Sequence, residues 1–513
     1  MKIKKLMFLF VLSFCLFVTN VSALAIDSSG KTVPASNAWE PYFSKSSTVE
    51  TFGTSDINKI IKNTEKSIFG GEFYRLKIDS TEIAKGTSGV ILRNVGEYNN
   101  HIVDMKITFM NWSFNNECSN SAEQMPDGTF KFDHDDEAGI EVYPNPKPKS
   151  GSSVTEEDAA KLKGHIHFSR EGCIRDMEYK IEFLDHNTQA KLQISGHFGI
   201  YDIDAYSKQG DDLTAIEYIY PKSGISALYA STDTVCDIHE REKVPNGITC
   251  NIENNTASAA DLKADDKYKL TMLYNTKELS LVYGYYKKDN TASTITFGAG
   301  FAGGQPSNPI EYPTPTKRVS KIDGDSADSI EVSANEEFFF HVKQFLPIQG
   351  NDDNKLTSLV FNDQVNSDLQ RSECHVVNTE NGTDYLDSNF NIDCNKNTNK
   401  VTATWNGTDL HAIEGQTMML QIKAKIKSDA LSKSSNFKDG VLTVPNNGTV
   451  TINNKANNTN EVYVKYKADS VKVPSTLANT PMIVTFAAII LIIVGGGVAY
   501  YMTSKKPKTK QDK

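Results

Sequence analysis

Val103-Asp104-Met105-Lys106-Ile107-Thr108-Phe109 puts an apolar side chain at every second position with polar ones between. Successive side chains of a strand point to opposite faces, so this spacing describes a half-buried β-strand. The period recurs where Met177, Tyr179, Ile181 and Phe183 alternate with Glu178, Lys180 and Glu182. It returns at Phe338, Phe340 and Val342, and again where Leu420, Ile422, Ala424 and Ile426 alternate with Gln421, Lys423, Lys425 and Lys427. Asn, Gly and Asp turns separate such runs. The expected fold class is all-β, with tandem antiparallel β-sandwiches whose sheets each have one buried and one wet face. Helical periodicity is sparse. Ser55 ahead of Ile57, Ile60 and Ile61 predicts one short amphipathic helix with a serine cap.

The chain has 513 residues, enough for roughly three domains. Its 39% hydrophobic and 10% aromatic content is sufficient for packed cores. A formal net charge of −10 argues against nucleic acid, whose binding needs a basic face that displaces counterions. The basic residues concentrate at the ends. The first 25 residues carry three lysines and no acid, and the last nine carry five lysines and one Asp. The body between them is the acidic part.

Met1-Lys2-Ile3-Lys4-Lys5, the apolar run Leu6 to Val18 and Ala23-Leu24-Ala25 have the layout of a secretory signal peptide over residues 1–25. Cys15 lies inside the apolar run behind bulky Phe14, which does not suit lipidation. A second apolar run, Met482 to Met502, is long enough to span a bilayer as a helix. The basic tail at 503–513 then belongs in the cytoplasm and the long body outside. The expectation is a single-pass membrane protein displayed at the cell surface. The apolar run with its basic tail also matches the back half of a cell-wall sorting signal. Val473-Pro474-Ser475-Thr476-Leu477 and Leu477-Ala478-Asn479-Thr480-Pro481 resemble its pentapeptide, but both lack the glycine at which a sortase cuts. Retention as a membrane anchor is therefore preferred over wall attachment.

Six cysteines remain in the exported body: Cys118, Cys173, Cys236, Cys250, Cys374 and Cys394. An even number in an oxidising compartment favours disulfides. The spacing leaves the connectivity open, and pairing in sequence order keeps each pair within one expected domain. The two short loops would each stabilise by about 3 kcal/mol.

Proline and glycine are densest from Gly303-Gly304-Gln305-Pro306 through Pro313-Thr314-Pro315, a semi-rigid spacer. It divides an irregular leader with the short helix (26–70) and a large sandwich (71–302) from a second unit (316–468). A stalk at 469–481 leads to the apolar run at 482–502.

The second unit resembles the isopeptide-forming domains of Gram-positive fimbrial and adhesin proteins. Its opening Pro315-Thr316-Lys317-Arg318-Val319 is similar to the family's first strand, and Ala334-Asn335-Glu336-Glu337-Phe338-Phe339-Phe340-His341-Val342 to a following strand. Leu359-Val360-Phe361-Asn362-Asp363 resembles the strand that ends in an acid. Val444-Pro445-Asn446-Asn447-Gly448-Thr449-Val450-Thr451-Ile452 and Asn460-Glu461-Val462-Tyr463-Val464 resemble the closing segments. The resemblance implies an immunoglobulin-like sandwich in which Lys317 attacks Asn446 with Asp363 as proton shuttle, releasing ammonia. Lys321 is the alternative nucleophile. Read as residues alone, Lys317 is a linker lysine, Asp363 starts a turn, and Asn447-Gly448 is a turn dipeptide. The chemistry has its own logic. A lysine is protonated at its usual pKa of about 10.4. Burial favours the neutral, nucleophilic amine, and a carboxyl pushed neutral beside it can move protons.

More weakly, Asn94-Val95-Gly96-Glu97-Tyr98-Asn99 and Gly196-His197-Phe198-Gly199-Ile200-Tyr201-Asp202 resemble the heads of such surface proteins. The implied head is a lectin-like, outward-facing module for a glycan or protein of a host or neighbouring cell. The function this supports is an adhesin-like binding protein. A stalk component without a ligand is the alternative, and a surface carbohydrate-active hydrolase a second. Gly-x-Ser-x-Gly and His-Glu-x-x-His do not occur, so catalysis on an external substrate is not expected.

His165-Ile166-His167 offers half of a zinc site without an identifiable third ligand. Asp133-His134-Asp135-Asp136-Glu137, Asp211-Asp212 and Asp323-Gly324-Asp325 offer oxygen ligands for Ca2+, though none has EF-hand spacing. No other cofactor is implied. Asn-x-Ser/Thr sequons at Asn111, Asn254, Asn381, Asn406, Asn447 and Asn457 are expected by chance in an Asn-rich chain with bacterial-looking ends.

Overall fold

The computed structural model describes residues 24–467, other than 54–59, 64–70, 78–84, 115–122, 125–129, 132–136, 149, 152–154, 157–158, 160–161, 172–173, 202, 204, 210–211, 242–243, 251–265, 288–296, 304–305, 334, 350–354, 380–385, 396–397, 408–409 and 411–412. All but the last two residues of the signal segment, together with the stalk, the apolar run at 482–502 and the basic tail, lie outside the described residues. Among the described residues, no helix is long and apolar enough to cross a membrane.

The described chain is almost entirely strand. The first unit centres on a ten-stranded sheet. Its spine runs Cys236–Arg241, Val244–Cys250, Asp212–Ser223, Glu278–Lys287, Ile174–Asp185, His101–Phe114, Ser88–Arg93 and Thr48–Phe52. Two smaller sheets belong to the same unit. One contains Phe297–Ala302, Ile166–Glu171 and Glu137–Val142; the other contains Ile225–Tyr229, Leu270–Thr276 and Ile194–Ile200. Stacked rings join the layers. Phe168 lies 4.4 Å from Tyr179 and Phe183 lies 5.2 Å from Tyr274, between ring centroids, while Phe301 stacks on Phe168 at 4.0 Å within its own sheet. The alternating apolar residues Val103, Met105, Ile107 and Phe109, and their neighbours Met177, Tyr179, Ile181 and Phe183, are all fully buried.

The opposite face is not uniformly wet. Asp104 is fully buried because Arg93 Nη1 (2.6 Å), Asn94 N (2.9 Å), His186 Nδ1 (2.8 Å) and Gln189 Nε2 (3.0 Å) surround its carboxylate. A buried carboxylate is tolerated when its oxygens are filled this way.

Two sequence expectations change. Ile60 and Ile61, read as part of a helix face, lie in strand Ile60–Asn63, paired antiparallel with Glu72–Lys77. Adjacent β-branched residues suit a strand, and a short isolated helix gains too little to nucleate. Ser55 and Ile57 lie outside the described residues. The leader, moreover, is part of the first core. Trp39, Tyr42 and Phe43 are buried, and the Trp39 ring sits edge-on to Phe183 at 5.9 Å.

The spacer is also packed. Ser307 and Asn308 are buried, and Asn308 Nδ2 donates to Lys31 O (2.8 Å) and Ala230 O (3.2 Å). Val33 and Ile310 form a parallel bridge. The leader thus supplies partners for the spacer's backbone, and proline adds no N–H that must be satisfied.

The second unit has three sheets around its own core. Thr316–Lys321, Phe338–Leu346, Gln416–Ile426 and Leu369–Asn378 form one. Ser329–Glu331, Val462–Lys467, Val441–Asn446 and Phe437–Lys438 form another. Phe390–Asp393, Lys400–Trp405, Leu359–Gln364, Gly448–Ile452 and Lys455–Asn458 form the third. Cys374–Cys394 joins the first sheet to the end of the third, and Cys236–Cys250 joins two paired strands of the first unit. Cys118 and Cys173 lie outside the described residues. At the joint between units, Lys343 Nζ pairs with Glu97 at 2.5 Å, Phe345 packs against the first core, and Gln349 bonds both backbone groups of Ile310 (3.1 and 2.9 Å).

Trp39→Ala should lower stability by about 3–5 kcal/mol, the usual cost of emptying a large aromatic site. Urea unfolding followed by tyrosine fluorescence measures it; a change within the error of the parent would mean that the leader is a dispensable cover.

Candidate functional site

Lys317, Asp363 and Asn446 come from three different sheets. Lys317 lies in the first strand of the second unit, Asp363 in Leu359–Gln364, and Asn446 ends Val441–Asn446. In each strand the alternation that buries the apolar residues also turns the polar one inward. Lys317 is 0% exposed, Asp363 1% and Asn446 4%.

The three side chains meet. Lys317 Nζ donates to Asp363 Oδ2, and Asn446 Nδ2 donates to Asp363 Oδ1 at 3.1 Å. Amine and amide therefore sit on the two oxygens of one carboxyl group. Lys317 Nζ also donates to Asn447 O at 3.2 Å and lies 4.8 Å from the Phe340 ring centre. Asn446 Oδ1 is buried with no hydrogen-bond partner among the described residues. A half-turn of the amide would exchange Oδ1 for Nδ2 against Asp363.

Burial dominates the electrostatics. Desolvation holds the Lys317 amine below the ordinary lysine range, against the pull of Asp363. Desolvation likewise raises the Asp363 carboxyl, against Lys317 and the Asn446 hydrogen bond. Both shifts favour the uncharged forms, a free amine beside a carboxylic acid. That pair can do acyl chemistry: the amine as nucleophile, the acid as the group that polarises an amide or protonates its leaving nitrogen.

Sequence reasoning missed two supporting residues. Asn460 clamps the backbone of Lys317 from both sides, accepting from its N–H at 2.7 Å and donating to its carbonyl at 3.0 Å. Gly448 stands opposite Asp363 in the ladder. A Cβ there would come within 3.2 Å of Val342 Cγ2 and 3.3 Å of Asp363 Oδ2, so glycine leaves the carboxyl its space. Asn447-Gly448 is accordingly a crossing between two sheets rather than a two-residue hairpin: Asn446 ends a strand of one sheet and Gly448 begins a strand of another. Lys321, the alternative nucleophile, is half-exposed and pairs with Glu336 at 2.9 Å.

The other candidates do not assemble. His165 and His167 are buried, and both ring nitrogens facing Tyr201 meet its hydroxyl, His167 Nε2 at 2.7 Å. Among the described residues, no group of three or more His, Cys, Asp or Glu is placed to hold a metal ion. Residues 133–136 and Asp211 lie outside the described residues, as do the sequon residues Asn254 and Asn381.

No protein-family model matches the chain, and no curated protein matches it. Among solved structures it is similar to the N-terminal domain of the Streptococcus gordonii adhesin Sgo0707, at 13% identity and a TM-score of 0.35, covering 87% of this chain and 98% of that one. It is similar to domains D2 and D3 of the major pilin SpaD from Corynebacterium diphtheriae at 22% identity and a TM-score of 0.23, covering 29% and 51%. Similarity to BcpA, the major pilin subunit of Bacillus cereus, has 13% identity and a TM-score of 0.23, covering 52% and 69%. These neighbours are surface adhesins and pilins; the identities and TM-scores are low, and the two pilin overlaps are partial.

Replacing Lys317 by Met isolates Asp363 in the core, and the sign of the resulting pH effect is fixed. An acid raised on folding holds its proton in the folded state after the unfolded chain has lost it at about pH 4. Stability of Lys317→Met should therefore fall as pH rises above about 4, by up to 1.4 kcal/mol per unit, until the folded carboxyl ionises. The further change Asp363→Asn should remove that slope. Urea midpoints across acid to neutral pH test this, and a slope unchanged by Asp363→Asn would contradict it.

Proposed function

We propose that the chain is an adhesin-like surface protein whose second unit ties itself with an isopeptide bond between Lys317 and Asn446. The observation that carries this reading is the desolvated amine and the asparagine amide sharing the two oxygens of buried Asp363. In the proposed step, the neutral Lys317 amine attacks Asn446 Cγ. A proton passes through Asp363 from the amine to the departing nitrogen, the Cγ–Nδ2 bond breaks, and ammonia leaves as the Nζ–Cγ bond forms. Asp363 ends as it began. Holding both groups on one carboxyl would supply the orientation, a contribution of about 7–11 kcal/mol in well-aligned intramolecular reactions.

The bond would join the unit's first strand to the strand paired with its last, Val462–Lys467. Tension along the chain would then bypass everything between residues 317 and 446. Unlike Cys374–Cys394, the tie would survive reduction. The first unit serves as the binding head, for a glycan or protein of a host or neighbouring cell. Export by residues 1–25 and retention by 482–502 as a membrane anchor would put both units outside the cell; processing by a sortase is the alternative to that anchor. The chemistry is a single turnover on the protein itself, with no external substrate, no cofactor and no nucleic acid.

The intact mass of the reduced, purified protein should be one ammonia below the sequence mass, and tryptic digestion should yield a branched peptide joining Lys317 to Asn446. Lys317→Ala and Asn446→Ala should restore the full mass, and Asp363→Ala should stop or greatly slow the loss. A full sequence mass in the parent chain would overturn the reading; a deficit that persists in Lys317→Ala would move the bond to another lysine.

A further inference from the structure

On the ten-stranded sheet of the first unit, backbone pairing aligns Ser113, Asp176, Gly284 and Tyr218 in one row across four strands. Asn111, Glu178, Val282 and Tyr220 form the next row. Between the rows, Met177, Ile219 and Tyr283 are buried in the core and Trp112 packs against it, so the two rows face away from it.

Gly284 shapes this face. A Cβ there would lie 2.5 Å from Tyr218 Cζ and 2.8 Å from Asp176 Oδ1. Without one, the Tyr218 ring crosses the strand and its hydroxyl donates to Asp176. Ser113 and Arg175 donate to the other Asp176 oxygen, the latter through Nε at 2.8 Å. The ring, 2% exposed, becomes the floor of an open cleft of about 340 Å³. Trp112, Glu178, Tyr220 and Lys222 are among its lining residues.

The charges in the cleft cancel in pairs. Arg175 Nη2 lies 2.7 Å from Asp176 Oδ2, and Lys222 Nζ lies 2.8 Å from Glu178 Oε2. A ligand carrying charge in among these groups would have to break one of the pairs; the Lys85 ammonium, outside them, is held by the neutral acceptors Asn111 Oδ1 (2.6 Å) and Trp112 O (3.2 Å). A sugar hydroxyl can join both members at once, donating to the carboxylate and accepting from the ammonium or guanidinium. The half-buried ring of Tyr220 offers an apolar plane beside those polar groups. The volume is at the lower end of ligand pockets, about 300–1,000 Å³, and suits a short saccharide segment. A protein partner would need roughly 800 Å² on its own side.

We propose, taking the first unit as the binding head, that this cleft binds an uncharged saccharide through the Glu178–Lys222 pair and the ring of Tyr220. The test uses the purified full chain on a printed panel of neutral, sialylated and sulfated oligosaccharides. The strongest neutral binder on that panel is then titrated calorimetrically against the parent, Tyr220→Ala and Glu178→Gln. Neutral oligosaccharides should bind, and each substitution should weaken binding by about tenfold or more, the effect of losing one charge-assisted contact. Near-UV circular dichroism and the mass deficit of the second unit should stay as in the parent. Binding confined to acidic sugars, or equal binding by both variants, would overturn the assignment while leaving the head reading intact. A silent panel overturns it too: if beads carrying the chain still capture cells, the head reading survives, and if they capture none, both readings fall.

Discussion

Burial of the Lys317 ammonium is the constraint on which the second unit turns. A lone charge beside Phe340 and Val342 in this core would be prohibitively costly, and the neighbouring carboxyl offsets this only in part. The fold resolves it by bringing both groups toward neutrality and by filling their hydrogen bonds with Asn446 and the Asn447 carbonyl. A comparison lies within the same molecule. Lys343, Glu97 and Asn100 meet at the joint between the units and have the same types of functional group, with Lys343 Nζ 3.4 Å from Asn100 Oδ1. There the lysine and glutamate side chains are 14% and 12% exposed, and Asn100 is open to solvent. Water remains in reach, so an ion pair suffices. Residue type alone does not move such groups toward neutrality; the dry surroundings do.

Three kinds of tie secure the two units. Cross-strand ladders and stacked rings build each core. Disulfides fasten particular neighbours, Cys236 with Cys250 and Cys374 with Cys394. At the joint, the Gln349–Ile310 bonds, the Lys343–Glu97 pair and Phe345 act together with the buried leader. The spacer is held because its polar groups find partners on the leader and on the first unit's sheets. Proline content marked a semi-rigid segment without long strands, and packing against the leader and the first unit holds it.

The ten-stranded sheet shows how one missing side chain creates a surface feature. Gly284 lets Tyr218 lie across its strand, and the ring then immobilises Asp176. A carboxylate fixed by three donors is a framework for the groups around it, and the neighbouring Glu178–Lys222 pair is the part more open to solvent. The support chemistry and the proposed recognition chemistry thus occupy separate units of one chain.

The alternating runs determined the all-β class and the inward face of the strands they cover, because a period of two reports directly which side of a strand is inside. The resemblance of the second unit's segments to isopeptide-forming domains also brought Lys317, Asp363 and Asn446 into view as a set. Other features were not legible. Ile60 and Ile61 read equally well as helix until Glu72–Lys77 supplied a partner strand, and the buried role of Trp39 depended on contacts with strands far along the chain. Asn460, Gly448 and Gly284 carry no local signal: their importance comes from what lies across a ladder or between sheets. Local pattern sets which way each side chain faces; only the assembled sheets decide what it faces, and that decides whether a lysine is an ion on the surface or an amine in a dry core.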